Sequence, residues 1–260
     1  MIERLMRVDY LGEEDISAVK KNFDGKYKSH WHEFYEIEYI VSGSGIYEID
    51  GIEYKIIPGA LFFMTPVDFH SVSANNIELY NIQFSALAAN TEILAEITER
   101  NFPTFFELKG KTLDFIEVQL EEMTTNHDDR QFQSTILNCI LAKLLKLEKN
   151  SEKTALSPIS KAQLYILNRF RDNVSLSDVA KYVGFSVSYF SMLFKKETGK
   201  TFKDYINNLK FEYAEKLLKY TDFTVLQICN ESGFEDYANF LRRFKERTKL
   251  SPTEYRKHSK

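Results

Sequence analysis

The sequence holds only two cysteines, Cys139 and Cys229, five prolines, ten glycines and one tryptophan in 260 residues. Two cysteines in apolar, helix-like surroundings cannot staple a disulfide scaffold, and they read as reduced thiols of a cytoplasmic protein. No apolar run approaches the roughly 18 residues that a membrane-spanning helix needs. Residues 1–7 (MIERLMR) lack an apolar stretch followed by small residues, so no export signal is expected there. Proline and glycine are too scarce for a low-complexity chain. What is present is 43% hydrophobic content in a length that accommodates two domains.

The net charge of −4 hides a division. From Ser157 onward there are 19 Lys and Arg against 12 Asp and Glu, and before it 15 against 26. A basic C-terminal part attracts phosphates, and an acidic N-terminal part repels them.

The basic part is also the part that repeats itself. Leu176 to Thr198 and Val225 to Thr248 each read as a helix, a glycine turn with a following phenylalanine (Gly184-Phe185, Gly233-Phe234), and a second helix. Gly184 and Gly233 lie 49 positions apart but Phe194 and Phe244 lie 50 apart, so the second copy carries one extra residue after its turn. Ser175 with Asp178, Thr201 with Asp204, Thr224 with Gln227 and Ser251 with Glu254 fit capping boxes or close relatives of them. Pro252 suits a first helical position. Two helix-turn-helix units joined by a central helix of residues 201–219, about 28 Å long, could enter successive major grooves on one DNA face.

The N-terminal part reads as short strands. Residues 34–41 are aromatic and β-branched and end at Gly43-Ser44-Gly45, Asp50-Gly51 is a hairpin signal, and residues 60–65 and 77–84 are further strands. His30, His32 and Glu36, all of even number, would share a face of one unbroken strand, and His70 follows on a later one. Here the residues resemble the cupin motif: His30, His32, Glu36 and Gly43, then Gly59, Pro66 and His70. The second half departs, with six residues between Gly59 and Pro66 and no glycine just after Pro66. In metal-binding cupins the matching residues form a three-histidine, one-glutamate site, so the resemblance makes His30, His32, Glu36 and His70 candidate ligands of a divalent metal. The other reading is a metal-free polar pocket in a barrel mouth, lined by the same four residues, that takes a small molecule. Trp31, Tyr35, Tyr39, Phe62 and Phe63 read as core before pocket wall.

Period 3.6 takes over after Ser85. Leu113, Ile116, Leu120 and Met123 form one stripe, and Phe132 to Leu145 carry a second. These pack on the barrel by default, and a dimer contact on residues 113–120 is the alternative use. Residues 149–158 are polar, end in Ser157-Pro158 and read as a linker. The expected domains are therefore 1–148 and 159–260.

On the second helix of each copy, Phe190, Leu193 and Phe194, and Phe240 and Phe244, face the core. Ser188, Ser191, Met192 and Lys195, and Tyr237, Ala238, Arg242, Arg243 and Lys245, face away. Short polar residues and arginine near a helix start suit base-edge reading, and Lys195, Lys196, Lys200, Lys245 and Arg247 suit phosphates. These residues resemble the AraC/XylS family of bacterial transcription regulators. The resemblance rests on Ala180, Gly184, Phe185, Tyr189, Phe190, Phe194, Gly199, Tyr205, Arg242, Phe244, Ser251, Pro252, Tyr255 and Arg256, and the cupin-like part extends it over nearly the whole chain. It implies base reading by Ser188, Ser191 and Met192 in the first copy and by Tyr237, Ala238, Leu241 and Arg242 in the second. Met192 stands where the family often has arginine. Lys249 stands where it usually has glycine, and is expected to alter how that helix ends.

The expected fold is α+β, a cupin-like β-barrel with following helices and then an all-α double helix-turn-helix domain. The expected function is a DNA-binding transcription regulator, more an activator than a repressor. A small molecule in the barrel, with a sugar among the candidates, would control promoter binding, and no cofactor is required. The partners implied are double-stranded promoter DNA, RNA polymerase by family resemblance, and a second copy in a homodimer, with no membrane. The rival is a metal-dependent cupin enzyme, an isomerase or dioxygenase, with an appended DNA-binding domain.

Overall fold

The computed structural model of the chain describes residues 14–66, 68–99, 102–126, 128–147 and 158–259, together with the strand Glu3–Leu5. The chain divides into two compact units, residues 3–155 and residues 156–260. The linker expected over 149–158 lies outside the described residues except for Pro158.

Among the described residues, the N-terminal unit is built on one rolled seven-stranded sheet. Its strands are β1 (Glu3–Leu5), β2 (Ile16–His32), β3 (Tyr35–Ile49), β4 (Ile52–Ile56), β5 (Ala60–Met64), β6 (His70–Phe84) and β7 (Phe105–Glu107). Hydrogen-bonded neighbours run β1-β2-β6-β3-β5-β7, and β4 pairs with the far half of β3. Every pairing is antiparallel except that of β1 with β2. The hairpin expected at Asp50-Gly51 is present, with φ of 50° and 83°, the pair of positive values that a two-residue turn needs to match strand twist.

Two strands are longer than the sequence predicts. β3 does not end at Gly43-Ser44-Gly45 but passes through it. A Cβ on Gly43 would lie 2.4 Å from the Asn76 carbonyl oxygen, so this glycine answers a close approach of β6. β2 runs for 17 residues with little apolar alternation. Its lysines find partners across the sheet instead, Lys20 with Glu78 at 3.2 Å and Lys21 with Glu38 at 3.6 Å.

Register shifts fall between Phe23 and Gly25 on β2 and between Ile40 and Ser44 on β3, and Gly25 and Ser44 face Ala74 and Asn75 of β6. Bulges aligned across three neighbouring strands bend the sheet along one line and re-aim alternate side chains. Glu36 and Glu38 face the cavity before the bend and Tyr47 after it. The roll is tight enough that His70 and Gln83, at opposite ends of β6 and about 43 Å apart on a straight strand, both reach the Glu36 carboxylate, at 3.4 and 3.0 Å. His30, His32 and Glu36 consequently do not share one strand. The two histidines close β2, and Glu36 is the second residue of β3.

Trp31, Tyr35, Tyr39, Phe62 and Phe63 are all buried, and none lines the cavity. Helices α1 (Thr91–Glu99), α2 (Gly110–Thr125) and α3 (Arg130–Leu147) complete the unit. Ile116, Leu120 and Met123 of α2 are buried within it, as are Ile136, Leu137, Ile140, Leu141, Leu144 and Leu145 of α3. Of the stripe weighed for a dimer contact over 113–120, Ile116 and Leu120 are buried in their own unit, Leu113 is half-buried, and Asp114 and Val118 are exposed.

The C-terminal unit is all helical: α4 (Pro158–Leu167), α5 (Leu176–Tyr182), α6 (Val187–Thr198), α7 (Phe202–Tyr220), α8 (Val225–Glu231), α9 (Tyr237–Thr248) and α10 (Pro252–Ser259). Ser175 with Asp178 and Thr224 with Gln227 form full capping boxes, and the Ser251 backbone N–H donates to Glu254 at 2.8 Å. Thr201 caps α7 by accepting from the Asp204 backbone N–H. Gly184 and Gly233 both turn with positive φ, 75° and 76°. Phe190, Phe194, Phe240 and Phe244 are fully buried.

The repeat also extends further than the two helices read from sequence. Tyr205 meets Phe194 edge-on at 5.2 Å, and Tyr255 meets Phe244 edge-on at 5.5 Å. Each copy thus ends in a third capped helix whose first-turn tyrosine closes its phenylalanine core. The signal was available in the matching Thr201-x-x-Asp204-Tyr205 and Ser251-x-x-Glu254-Tyr255.

Candidate effector pocket and nucleic-acid interface

The rolled sheet encloses a cavity of about 280 Å³. Its polar wall comes from one face of three adjacent strands: Lys21 and His30 of β2, Glu36, Glu38 and Tyr47 of β3, and His70 and Gln83 of β6. Phe23, Tyr27, Val72, Ile77 and Leu79 supply the apolar wall. Two carboxylates inside a sheet are costly unless each oxygen is satisfied. Asn81 Nδ2 donates to both, at 2.8 Å to Glu36 and 2.7 Å to Glu38, and Gln83 Nε2 donates to Glu36 at 3.0 Å. The Tyr47 hydroxyl donates to Glu38.

The histidines are oriented by their second nitrogens. Nδ1 of His30, His32 and His70 faces the backbone carbonyl of Lys28, Phe34 and Asp68, at 3.0, 2.7 and 3.2 Å. A carbonyl only accepts, so each Nδ1 carries the proton, and Nε2 is left to point elsewhere. His32 Nε2 lies 3.0 Å and His70 Nε2 3.4 Å from the same Glu36 Oε2.

Burial acts to raise the Glu36 carboxyl, but His32 and then His70 overturn it and hold the group well below the usual carboxylate range. Burial acts to lower His70, but its hydrogen bond to Glu36 and the charges of Glu36 and Glu38 together outweigh that, so its pKa is raised. His30 differs. Burial, and then the charge of His70, push it down to about 3, and it is neutral. Burial, and then the Glu38 charge, raise the Tyr47 hydroxyl.

Of the four histidine and glutamate positions expected to act together, His32, Glu36 and His70 place ligand atoms within 4.8 Å of one another. His30 packs its ring against His70 at 4.1 Å and is not in that group. The donor set fits a divalent cation. Metal–ligand bonds of about 2.1 Å put neighbouring ligand atoms about 3.0 to 3.4 Å apart, the spacing of both Nε2 atoms from Glu36 Oε2. Backbone carbonyls on the far nitrogens are also what orients ligating histidines. Sequence reasoning passed over Glu38, Tyr47, Asn81, Gln83 and Lys21. Glu38 follows Glu36 by two and shares its face, which the strand period could have found.

In the C-terminal unit, Ser188, Ser191, Met192 and Lys195 lie exposed along α6, and Tyr237, Ala238, Arg242 and Lys245 lie exposed along α9. Leu241 is half-buried. Arg242 faces outward, donating to Asn239 at 2.9 Å and Glu246 at 2.6 Å. Arg243 and Arg247, expected to face DNA, both reach toward α7, with Arg243 half-buried and Arg247 still exposed. The Arg243 guanidinium lies over the Phe211 ring at 5.6 Å, and Arg247 donates to Glu215 at 3.0 Å and Asn208 at 2.8 Å. Lys249 takes φ of 64° and returns its N–H to Lys245, as Gly199, with φ of 70°, does to Lys195. The helix end therefore matches that of the first copy, against expectation. No helix among the described residues is long and apolar enough to cross a membrane.

Comparison with known proteins covers both units. Residues 19–151 match the family model of the AraC-like ligand binding domain, and residues 179–258 match that of a helix-turn-helix domain. The chain is 25% identical over 272 residues to the HTH-type transcriptional activator RhaS of Escherichia fergusonii, covering 97% of this chain and 96% of that one. It is 26% identical over 268 residues to the RhaS activator of Escherichia coli O81, with the same coverage. Among solved structures, ToxT from Vibrio cholerae aligns with 94% of this chain and 98% of its own at 18% identity and a TM-score of 0.41.

Proposed function

Because this chain belongs to the AraC family of transcription regulators, with a ligand-binding domain ahead of a helix-turn-helix DNA-binding domain, we propose that the sheet cavity is its effector pocket and that the occupant controls promoter binding. The observation that carries this reading is a cavity of about 280 Å³ with two buried carboxylates, on strands whose opposite face is hydrogen-bonded to a helix. Glu38 and Asn81 are register partners facing inward, and the next pair, Tyr39 and Tyr80, faces outward. Tyr39 donates to Glu117 at 2.6 Å and Tyr80 to Glu121 at 2.8 Å, both on α2. A ligand that takes Asn81 from Glu38 moves both tyrosines, and with them α2, so it favours one arrangement of the domain over another.

The same reading makes the protein a cytoplasmic homodimer that activates transcription through RNA polymerase, with a cavity that senses rather than catalyses. Family membership and the activator names of the relatives support it. The test is promoter-fragment binding by the full chain across a panel of monosaccharides and other small hydroxylated compounds. At least one should change DNA affinity, and Tyr39→Phe combined with Tyr80→Phe should preserve its binding while shrinking that change. If no compound alters DNA binding, the effector reading falls.

The histidine tautomers favour a second occupant. Two Nε2 lone pairs aimed at one carboxylate oxygen require either imidazolium or a cation between them. His32, Glu36 and His70 would hold a divalent metal, which would supply a charged anchor for an oxygen of the effector. Elemental analysis of the purified protein beside His70→Ala decides it. Absence of metal removes this occupant, and stoichiometric metal together with turnover of a bound compound would make the cavity an active site, as in the rival cupin-enzyme reading.

A further inference from the structure

The outward strip of α6 has an unusual composition for a helix that reads DNA. Helix α6, Val187–Thr198, contains no arginine, asparagine or glutamine. Those are the planar side chains that bind guanine or adenine through two hydrogen bonds at once; lysine, which also addresses guanine, stands only at Lys195 and Lys196 in the last turn. The equivalent helix α9 carries Asn239, Arg242 and Arg243 over the same length. The strip that α6 presents, Val187, Ser188, Ser191 and Met192, follows helical spacing i, i+1, i+4, i+5 and is exposed throughout, with Val187 at 43% and Met192 at 61%. Single exposed apolar residues are ordinary on protein surfaces. Two of them bracketing two hydroxyls at the start of a recognition helix, with Lys195 and Lys196 completing its last turn, form a patterned face.

In the major groove only thymine presents a methyl group, and apolar side chains are what contact it. We infer that α6 is a methyl reader: Met192 and Val187 select thymines in the subsite under the first copy, while serine hydroxyls add single hydrogen bonds. The operator is then chemically lopsided. Arg242 addresses guanine under the second copy, braced by Asn239 and Glu246 on its own helix. This rests on the C-terminal domain's reading of DNA.

Selection by the full chain from random double-stranded DNA, followed by resynthesis of the enriched site with deoxyuridine for thymidine, tests it. That exchange removes the 5-methyl group and leaves every hydrogen-bonding edge in place. One subsite should lose about fourfold in affinity per contacted methyl, and the guanine-bearing subsite should be indifferent. Met192→Ala should shrink the deoxyuridine effect to the part that Val187 carries, and Met192→Arg should shift that subsite toward guanine. Exposure of Met192 keeps both variants clear of the core. An unchanged affinity with deoxyuridine at every position, or the same loss in Met192→Ala as in the unaltered chain, overturns the inference. Enrichment of no sequence at all overturns the DNA-reading assignment along with it, and is told apart because no site then exists to resynthesise.

Discussion

Gly184 and Gly233 make the same turn with the same backbone, yet a methyl group added at each would meet different surroundings. At Gly184 nothing lies within 4 Å, whereas at Gly233 the Arg171 carbonyl oxygen is at 2.7 Å and its Cα at 2.9 Å. The phenylalanines after them differ in the same way. Phe185 packs on Tyr189, itself 47% exposed, while Phe234 packs on Phe211 and Phe240 inside an aromatic cluster. Buried Lys210 of α7 donates to the Gly233 carbonyl, and burial lowers its pKa. The first copy is a reading head with one face to solvent. The second is set into the domain, and its turn is fixed by the central helix and by the segment before α5. Repeats of one sequence pattern can therefore differ in rigidity, and the difference comes from neighbours outside the repeat.

The largest break in that comparison should come from alanine at the two turns. Gly184→Ala asks a side chain to adopt a left-handed conformation, at about 1–2 kcal/mol. Gly233→Ala asks the same and also drives Cβ into the Arg171 backbone, which adds about 1–3 kcal/mol of forced displacement. Denaturant unfolding followed by DNA binding should show Gly233→Ala as the more damaged of the two, by about 1–3 kcal/mol in lost stability. Equal losses would mean that the Arg171 contact yields freely and that the two turns are alike.

The next effect lies in DNA reading. Arg242 in the free protein is tied to Glu246, with both side chains more than half exposed, so the pair itself contributes about 0–1 kcal/mol and releases the guanidinium at little cost. Arg242→Ala should cost about 1–3 kcal/mol on a specific site and relax its base preference. Met192→Ala should cost less and leave the second subsite's preference intact. Binding measured on the selected site and on scrambled DNA separates the outcomes. A loss equal on both sequences would place Arg242 on phosphate and remove the contrast between the helices.

The parts of this molecule that were legible in its sequence are those whose chemistry is local. Capping boxes, Gly184, Gly233 and the Asp50-Gly51 hairpin each specify a few dihedral angles and need no distant partner. The paired phenylalanines on α6 and α9 were legible for the same reason, because helical spacing alone separates their faces. β2 was not, since its lysines are satisfied by Glu78 of β6 and Glu38 of β3, across the sheet and not along the strand. The stripe on α2 announced that one face is buried but not what buries it, and its own domain does. In the cavity, His32, Glu36 and His70 were legible as a motif. Asn81 was not, because its importance comes from register, opposite Glu38, which no local pattern encodes. Arg243 and Arg247 were assigned to DNA by charge, and the aromatic ring and acidic partners that claim them lie on α7.

The smallest predicted effect sharpens the comparison at the helix ends. Lys249 occupies the left-handed position that Gly199 fills in the first copy, with φ of 64° against 70° and the same N–H return to the fourth residue back. A side chain pays about 1 kcal/mol or a little more for that conformation. Lys249 recovers part of it by donating from Nζ to the Glu246 carbonyl at 3.0 Å, one of the last carbonyls of α9. Lys249→Gly should then stabilise the domain by a few tenths of a kcal/mol up to about 1 kcal/mol, read as a small rise in unfolding midpoint. Lys249→Ala keeps the conformational cost and loses the hydrogen bond, so it should move the midpoint down. If glycine and alanine both lowered stability, the Nζ bond would outweigh the backbone cost, and the second copy would be using lysine as its helix stop rather than tolerating it.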